Sequence, residues 1–404
     1  MSARAEHLHC AAEQVESNAR VAVVTNLLSH YRVPCFQELA GRMPGRVTFF
    51  TLADKMTHRN YVLANNSREI PVRSLKGWSW SHPPYDDRHM NDIRPILGGN
   101  YNTIILGAWD EPTYLLLWAW GVATGKKIIF WIESTAYESR RSGIAAGIKE
   151  RYKRALIRRS AGCVVPGRRA FDYCNQLGMP ECRIFVAPNA VDRDYFSSQA
   201  SRLVEQRETL RLRLGLSGTV VLFVGRFVES YKDVMTLVRS VSGIQHSGSP
   251  VNLVLVGDGP DRSTYQAWIN EHNCANVHFA GELDHGRLCE YYAAADVLVL
   301  PSKSETWGFV LNEAMEFGLP VIVSEAVGAG PDLVYDGQNG FVIPVGDHER
   351  LAEALISLGQ DGNLRRQMGR NSREIIARFS PETWASGVCE AIKAVGPATR
   401  AVAR

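Results

Sequence analysis

The sequence predicts an α/β protein of two doubly wound, Rossmann-like halves facing each other across a cleft. Three observations carry that prediction. Short apolar runs alternate with amphipathic helical patterns along the 404 residues, the signature of βαβ units and parallel sheets. The polar stretch Ser197–Glu208 interrupts this alternation near the middle. The charge divides at the same place: residues 1–195 carry 26 Lys+Arg against 18 Asp+Glu, whereas residues 196–404 carry 19 against 24.

In the first half, strands are expected at Arg20–Thr25, Arg46–Thr51, Thr103–Leu106, Lys127–Ile132, Ala161–Val165 and Arg183–Val186, with helices near Val33–Ala40 and Ile148–Arg159. In the second, strands are expected at Val220–Val224, Asn252–Val256, Val277–Ala280, Val297–Leu300 and Pro320–Ser324. Helical patterns near Val234–Ile244, Ser263–Asn270, Arg287–Ala294 and Val310–Phe317 separate them, and three more close the chain near His348–Leu358, Asn363–Ala377 and Glu382–Ala394. The domains therefore read as 1–195, a linker over 196–217, and 218–379, with a last helix at about 380–397 packing back on the first domain.

Composition narrows the class. With 45% apolar and 22% charged residues, the chain can bury enough apolar surface to offset its ordering entropy, so it is neither disordered nor fibrous. The longest apolar run, Tyr114–Ala123, falls far short of the ~20 residues that span a bilayer. Glu6, Glu13 and Glu16 break up the first twenty residues, which lack the apolar stretch of a secretory signal. Eight scattered cysteines form neither a CxxC nor a zinc spacing and read as thiols in a reducing compartment, so a cytoplasmic protein is expected. GxGxxG is absent; its nearest approach, Gly257-Asp258-Gly259-Pro260, breaks the dinucleotide fingerprint, and no phosphate-binding GxxxxGK[ST] occurs.

Ligands in such sheets bind outside the carboxyl ends of the strands, and three candidate motifs stand there. After VVLFV come Gly225 and Arg226, then Lys232 at the start of a helix: a guanidinium fork and a point charge suited to a diphosphate. Either cation alone also fits a solvated surface charge. The next strand ends in Gly257-Asp258-Gly259, which permits a tight turn and close backbone approach. Glu305 follows a later strand and Glu313 stands eight residues on, with the N–H groups around Gly308, Phe309 and Val310 at a helix N-terminus that favours an anion. The plainer reading makes Glu305 an electrostatic cap and Glu313 an exposed carboxylate.

Taken together and in this order, these motifs resemble the GT-B fold glycosyltransferases of the large retaining family 4 group. The likeness covers residues 219–347, through Pro301–Met315, Gly318-Leu319-Pro320-Val321, Gly328 and Asp336–Gly340, and extends loosely to Pro188–Asp192. It implies that Arg226 and Lys232 grip the donor diphosphate, that Glu305 holds hydroxyls of the transferred sugar, and that Glu313 binds the ribose. The N–H groups from Gly308 onward would face the distal phosphate, and Gly281 would frame the nucleobase. It also implies a retaining transfer from a nucleotide sugar. The residues do not fix the base, the sugar or the acceptor; a UDP-sugar is expected first and a GDP-sugar second.

The first half departs from that pattern. Thr25–Arg32 replaces a usual Gly-Gly pair, Glu133 stands where a His is common, and Ala329 and Asp332 replace a Gly and a Glu in the later glycine loop. His30, Arg32 and Glu133 are the acceptor-side candidates. No metal or other cofactor is expected, because Asp192-Arg193-Asp194, the one Asp-x-Asp, is remote from the diphosphate motifs. Residues 138–159 carry eight cations with apolar residues interleaved at helical spacing. That pattern fits either an anionic membrane surface, which would suit a lipid-linked glycan or glycolipid acceptor in envelope polysaccharide assembly, or a solvated helix face. No nucleic-acid module is readable. A sugar-nucleotide epimerase, a phosphorylase, and an inert nucleotide-sugar binder share the architecture and remain alternatives.

Overall fold

The computed structural model describes residues 18–54, 70–82, 85–139, 144–244 and 251–396. Glu6, Glu13 and Glu16, one of the eight cysteines (Cys10) and two of the eight cations of residues 138–159 (Arg140 and Arg141) lie outside the described residues.

The first half holds β1 (Val21–Thr25), β2 (Val47–Thr51), β3 (Val72–Ser74), β4 (Gly77–His82), β5 (Tyr85–Asn91), β6 (Thr103–Leu106), β7 (Lys127–Trp131), β8 (Gly162–Val165) and β9 (Ile184–Val186). Seven of these form a parallel sheet of order β3-β2-β1-β6-β7-β8-β9, and β4 pairs antiparallel with β5 as a separate ribbon. The second half holds β10 (Thr219–Val224), β11 (Val251–Val256), β12 (Val277–Gly281), β13 (Val297–Leu300), β14 (Val321–Ser324) and β15 (Gly340–Ile343), in the parallel order β12-β11-β10-β13-β14-β15. Helices cover both faces of such sheets, so their strands are continuous apolar runs; every residue of TVVLFV in β10 is buried. In each sheet the winding reverses beside the first strand, between β1 and β6 and between β10 and β13. Those two crevices are where doubly wound folds bind ligands. The architecture is GT-B.

The connection expected over residues 196–217 has regular structure of its own. Residues 196–217 are largely helical, in Arg193–Val204 and Arg207–Leu214. Asp192 starts the first helix by accepting a hydrogen bond from the Tyr195 N–H. Phe196, Ala200, Leu203 and Leu210 then bury themselves in the core of the second half. The last helix, Pro381–Val395, crosses to the first half. Its Trp384, Val388 and Ile392, spaced i, i+4, i+8, join a core with Phe36 and Trp131, and the Trp131 and Trp384 rings lie 5.3 Å apart. Gly387 lets this helix approach β9 closely: a Cβ there would stand 2.1 Å from the Val186 carbonyl oxygen.

Candidate active site

Three loops at the carboxyl edge of the second sheet are laced by their backbones. Gly225 donates to the Val256 carbonyl, Phe227 to that of Asp258, and Gly257 to that of Gly281. The glycines are steric requirements here. Gly257 has φ +126°, and a Cβ on it would lie 2.0 Å from the Gly225 carbonyl oxygen; one on Gly259 would lie 2.4 Å from that of Phe227. The Asp258 carboxylate serves its own turn, accepting from the Gly259 N–H and from Arg262, and both bonds hold its pKa below the usual carboxylate value. Gly281, at φ +73°, faces open space where a side chain would otherwise stand.

Lys232 ends the short helix Glu229–Lys232 instead of starting a longer one; the next helix, Val234–Gly243, begins after Asp233 in a left-handed conformation. That turn brings the Lys232 ammonium onto the Glu305 carboxylate. Thus the cation read as a diphosphate group and the first carboxylate of the pair meet across the β10/β13 crevice. Arg226, just past the end of β10, is exposed, and among the described residues its guanidinium forms no ion pair. Lys303, which sequence reasoning passed over, braces the same wall through Glu229 (3.0 Å) and the buried Asp233 (2.7 Å).

Gly308, at φ +98°, starts the helix Phe309–Glu316, and its own hypothetical Cβ would lie 3.5 Å from Glu305 Cγ. The N–H groups of Phe309 and Val310 have no intrahelical acceptor by position, whereas Leu311 already donates to the Gly308 carbonyl at 2.9 Å. Glu313 is not the exposed carboxylate of the plainer reading. It is 4% exposed and accepts a 2.6 Å bond from the Tyr292 hydroxyl. Burial pushes its pKa up to about 7, with Tyr292 opposing.

The first half reaches this site through the loop after β1. Tyr31 stacks on Phe309 with ring centroids 4.4 Å apart. Arg32 lies over Trp131 and pairs with Glu133, so two of the three acceptor-side candidates engage each other. Arg32 also donates to the Asn189 side chain at 2.8 Å, and Asn312 of the second half donates to the Asn189 carbonyl at 3.0 Å while accepting from Trp307. Asn189 and Asn312 gave no signal as site residues, because their pairing exists only across the two halves. His30 meets His285 with centroids 4.0 Å apart; burial first, then His285, lowers its pKa to about 3. They border a cavity of about 290 Å³ with Val191, Tyr195 and Phe196. Asp332 joins the halves as well, accepting from the Arg168 N–H at 3.0 Å.

Among the described residues, no three His, Cys, Asp or Glu side chains cluster as a metal site, and Asp192 is occupied by its helix. No helix of the described residues is long and apolar enough to cross a membrane. The basic segment is narrower than the sequence suggested: in the helix Ile144–Arg158, Lys153 is buried and donates to the Tyr173 hydroxyl, while Lys149, Arg151, Arg154 and Arg158 remain exposed.

Two facing Rossmann-like halves, with the switch points of both sheets turned to the cleft, define the GT-B architecture. Residues 207–375 match the family model described as glycosyl transferases group 1. It is similar to a phosphatidyl-myo-inositol mannosyltransferase of Mycobacterium leprae, 27% identical over 76% of this chain and 77% of that protein. A D-inositol 3-phosphate glycosyltransferase of Xylanimonas cellulosilytica is 32% identical over 52% of this chain, which spans about half, 51%, of that relative. Among solved structures, HepE of Anabaena in complex with UDP and glucose superposes with a TM-score of 0.68 over 92% of this chain and 98% of that one, at 17% identity.

Proposed function

We propose that this protein transfers a sugar from a nucleotide-activated donor to an acceptor hydroxyl, with retention of anomeric configuration and without a metal. One observation carries the reading: Lys232 and Glu305 meet at the β10/β13 crevice, beside the helix N-terminus at Gly308. A cation for a diphosphate and an acceptor for sugar hydroxyls are thus neighbours, as a nucleoside diphosphate sugar requires. On donor entry the diphosphate takes Lys232, and a sugar hydroxyl takes its place on Glu305.

The chemistry then follows from charge. The bond between the anomeric carbon and the diphosphate oxygen breaks, and the acceptor oxygen bonds to that carbon on the same face. The acceptor's proton passes to the departing phosphate. Negative charge grows on that phosphate, where Arg226, Lys232 and the N–H groups from Gly308 onward stabilise it without reorganising. Glu313 holds the ribose and Gly281 borders the nucleobase. A UDP-sugar is the first choice of donor and a GDP-sugar the second; the complex of HepE with UDP and glucose supports the former. A lipid-linked glycan or glycolipid is the acceptor class, supported by the relative named for phosphatidyl-myo-inositol, and it sets the work on the inner face of the cytoplasmic membrane.

The test is a thermal-shift screen of nucleotide sugars, followed by assay of the best donor against lipid-linked and soluble acceptors. Release of nucleoside diphosphate with a retained anomeric linkage, undiminished by chelator, is the expected result. An inverted linkage or loss of activity with chelator overturns the mechanism. Epimerised donor or sugar phosphate as product overturns the transferase reading, and stabilisation by donor with no product under any condition marks an inert binder.

A further inference from the structure

The ribbon β4–β5 has its polarity inside out. Across it Trp78 pairs with Met90, Ser79 with His89 and Trp80 with Arg88, so Trp78, Trp80, Met90 and Arg88 share one face. The buried face is polar. Asn91 donates to the carbonyls of Leu52 and Leu75 at 2.9 and 2.8 Å, its N–H donates to Thr113, and the His89 N–H donates to Glu111 at 2.8 Å. These bonds hold the ribbon to the body of the first half without using its apolar side chains. Trp78 is left 78% exposed, Trp80 46% and Met90 37%. Contiguous exposed indoles on a fixed scaffold mark an interaction surface.

A second surface adjoins it. Arg88, opposite Trp80, donates to the Asp110 carbonyl at 2.7 Å, and the Tyr152 hydroxyl of the helix Ile144–Arg158 donates to the neighbouring Trp109 carbonyl at 3.1 Å. On that helix Ile148 is 63% exposed, with Lys149, Arg151 and Arg154 exposed around it. Indole rings prefer the boundary between headgroups and acyl chains, and cations beside an anionic leaflet strengthen the attachment.

We propose that Trp78, Trp80 and Met90 insert at the headgroup boundary of an anionic phospholipid bilayer, with the basic helix Ile144–Arg158 lying on the same surface. The proposal rests on the lipid-acceptor reading above and names the element that delivers the enzyme to its acceptor. Charge complementarity selects the occupant: the exposed cations of the helix match acidic headgroups, and the indoles match the layer beneath them.

Flotation of the full chain with vesicles of phosphatidylglycerol and phosphatidylethanolamine, against phosphatidylcholine alone, tests it. The wild type should float with the anionic vesicles and show a blue shift of tryptophan emission. A Trp78→Ser, Trp80→Ser variant should melt as the wild type does, bind anionic vesicles about tenfold more weakly and lose the shift. Lys149→Gln with Arg151→Gln should weaken binding mainly at low salt. Equal flotation of the tryptophan variant overturns the proposal, as does a wild type that ignores anionic vesicles. Self-association abolished by the tryptophan changes, without vesicle binding, overturns it in favour of a second copy. Nucleoside diphosphate release with a soluble acceptor, measured in parallel, reports on the transferase reading independently of each of these outcomes.

Discussion

The Asn312 side-chain amide donates to the Asn189 carbonyl at 3.0 Å, so a residue one turn into the helix Phe309–Glu316 is bonded to the chain that leaves the first half. Both residues are fully buried, and Asn312 also accepts from the Trp307 indole at 2.9 Å. Asn312→Ala leaves a buried N–H and a buried carbonyl unsatisfied. It should cost roughly 1–3 kcal/mol, read as a lowered midpoint in urea unfolding. A variant as stable as the wild type would show that the halves do not depend on this bond.

Arg226 is exposed and Lys232 partly so, and their removal should spare the fold while crippling transfer. Arg226→Ala should lower turnover by roughly 10²–10³, the cost of one preorganised charge-stabilising donor. Lys232→Ala should do so to a similar degree and also weaken the donor-induced thermal shift. Near-normal turnover in steady-state assays of either variant removes that residue from the mechanism.

Glu313 makes stability depend on pH. Its folded pKa of about 7 lies above the ordinary value of 4.5, so the folded state binds the extra proton between those values. The stability this proton confers is complete below about pH 4.5 and is lost as pH rises through 7, on the order of 3 kcal/mol in all. Asp332, raised by burial to about 6, acts with the same sign at lower pH. Urea unfolding of Glu313→Gln between pH 5 and 8 should show a flatter profile than the wild type. Parallel profiles would place the titration elsewhere.

Gly257→Ala drives a Cβ against the Gly225 carbonyl and asks a non-glycine residue to hold φ +126°. The β10 and β11 loops must then separate, costing roughly 1–3 kcal/mol. Donor affinity should fall further than stability, because the displaced loop carries Arg226. Isothermal titration with the preferred nucleotide sugar is the measurement, and unaltered affinity would detach this turn from the site.

Both sheets were legible because a parallel strand covered on two faces is a continuous apolar run, as in VVLFV. The ribbon β4–β5 was missed for the opposite reason: its apolar residues face out, and Asp87, His89 and Asn91 are buried. Ser197–Glu208 looked like a linker because Ala200 and Leu203 are the only residues of that stretch in the core. β15 (Gly340–Ile343) escaped notice because it is short and opens on a glycine. In the site, motifs local in sequence, from Gly225 to Glu313, could be read directly. Lys303, Asn189 and Asn312 could not, since each acquires its partner from a distant segment.

The crossing of the helix Pro381–Val395 onto the first half has a consequence for biosynthesis. Trp384, Val388 and Ile392 form one wall of a core whose other walls include Val21, Phe36 and Trp131. The ribosome makes that wall last. The amino-terminal lobe therefore waits, with aromatic surface uncovered, while the lobe synthesised after it already has the residues it needs to close. Order of completion thus runs against order of translation.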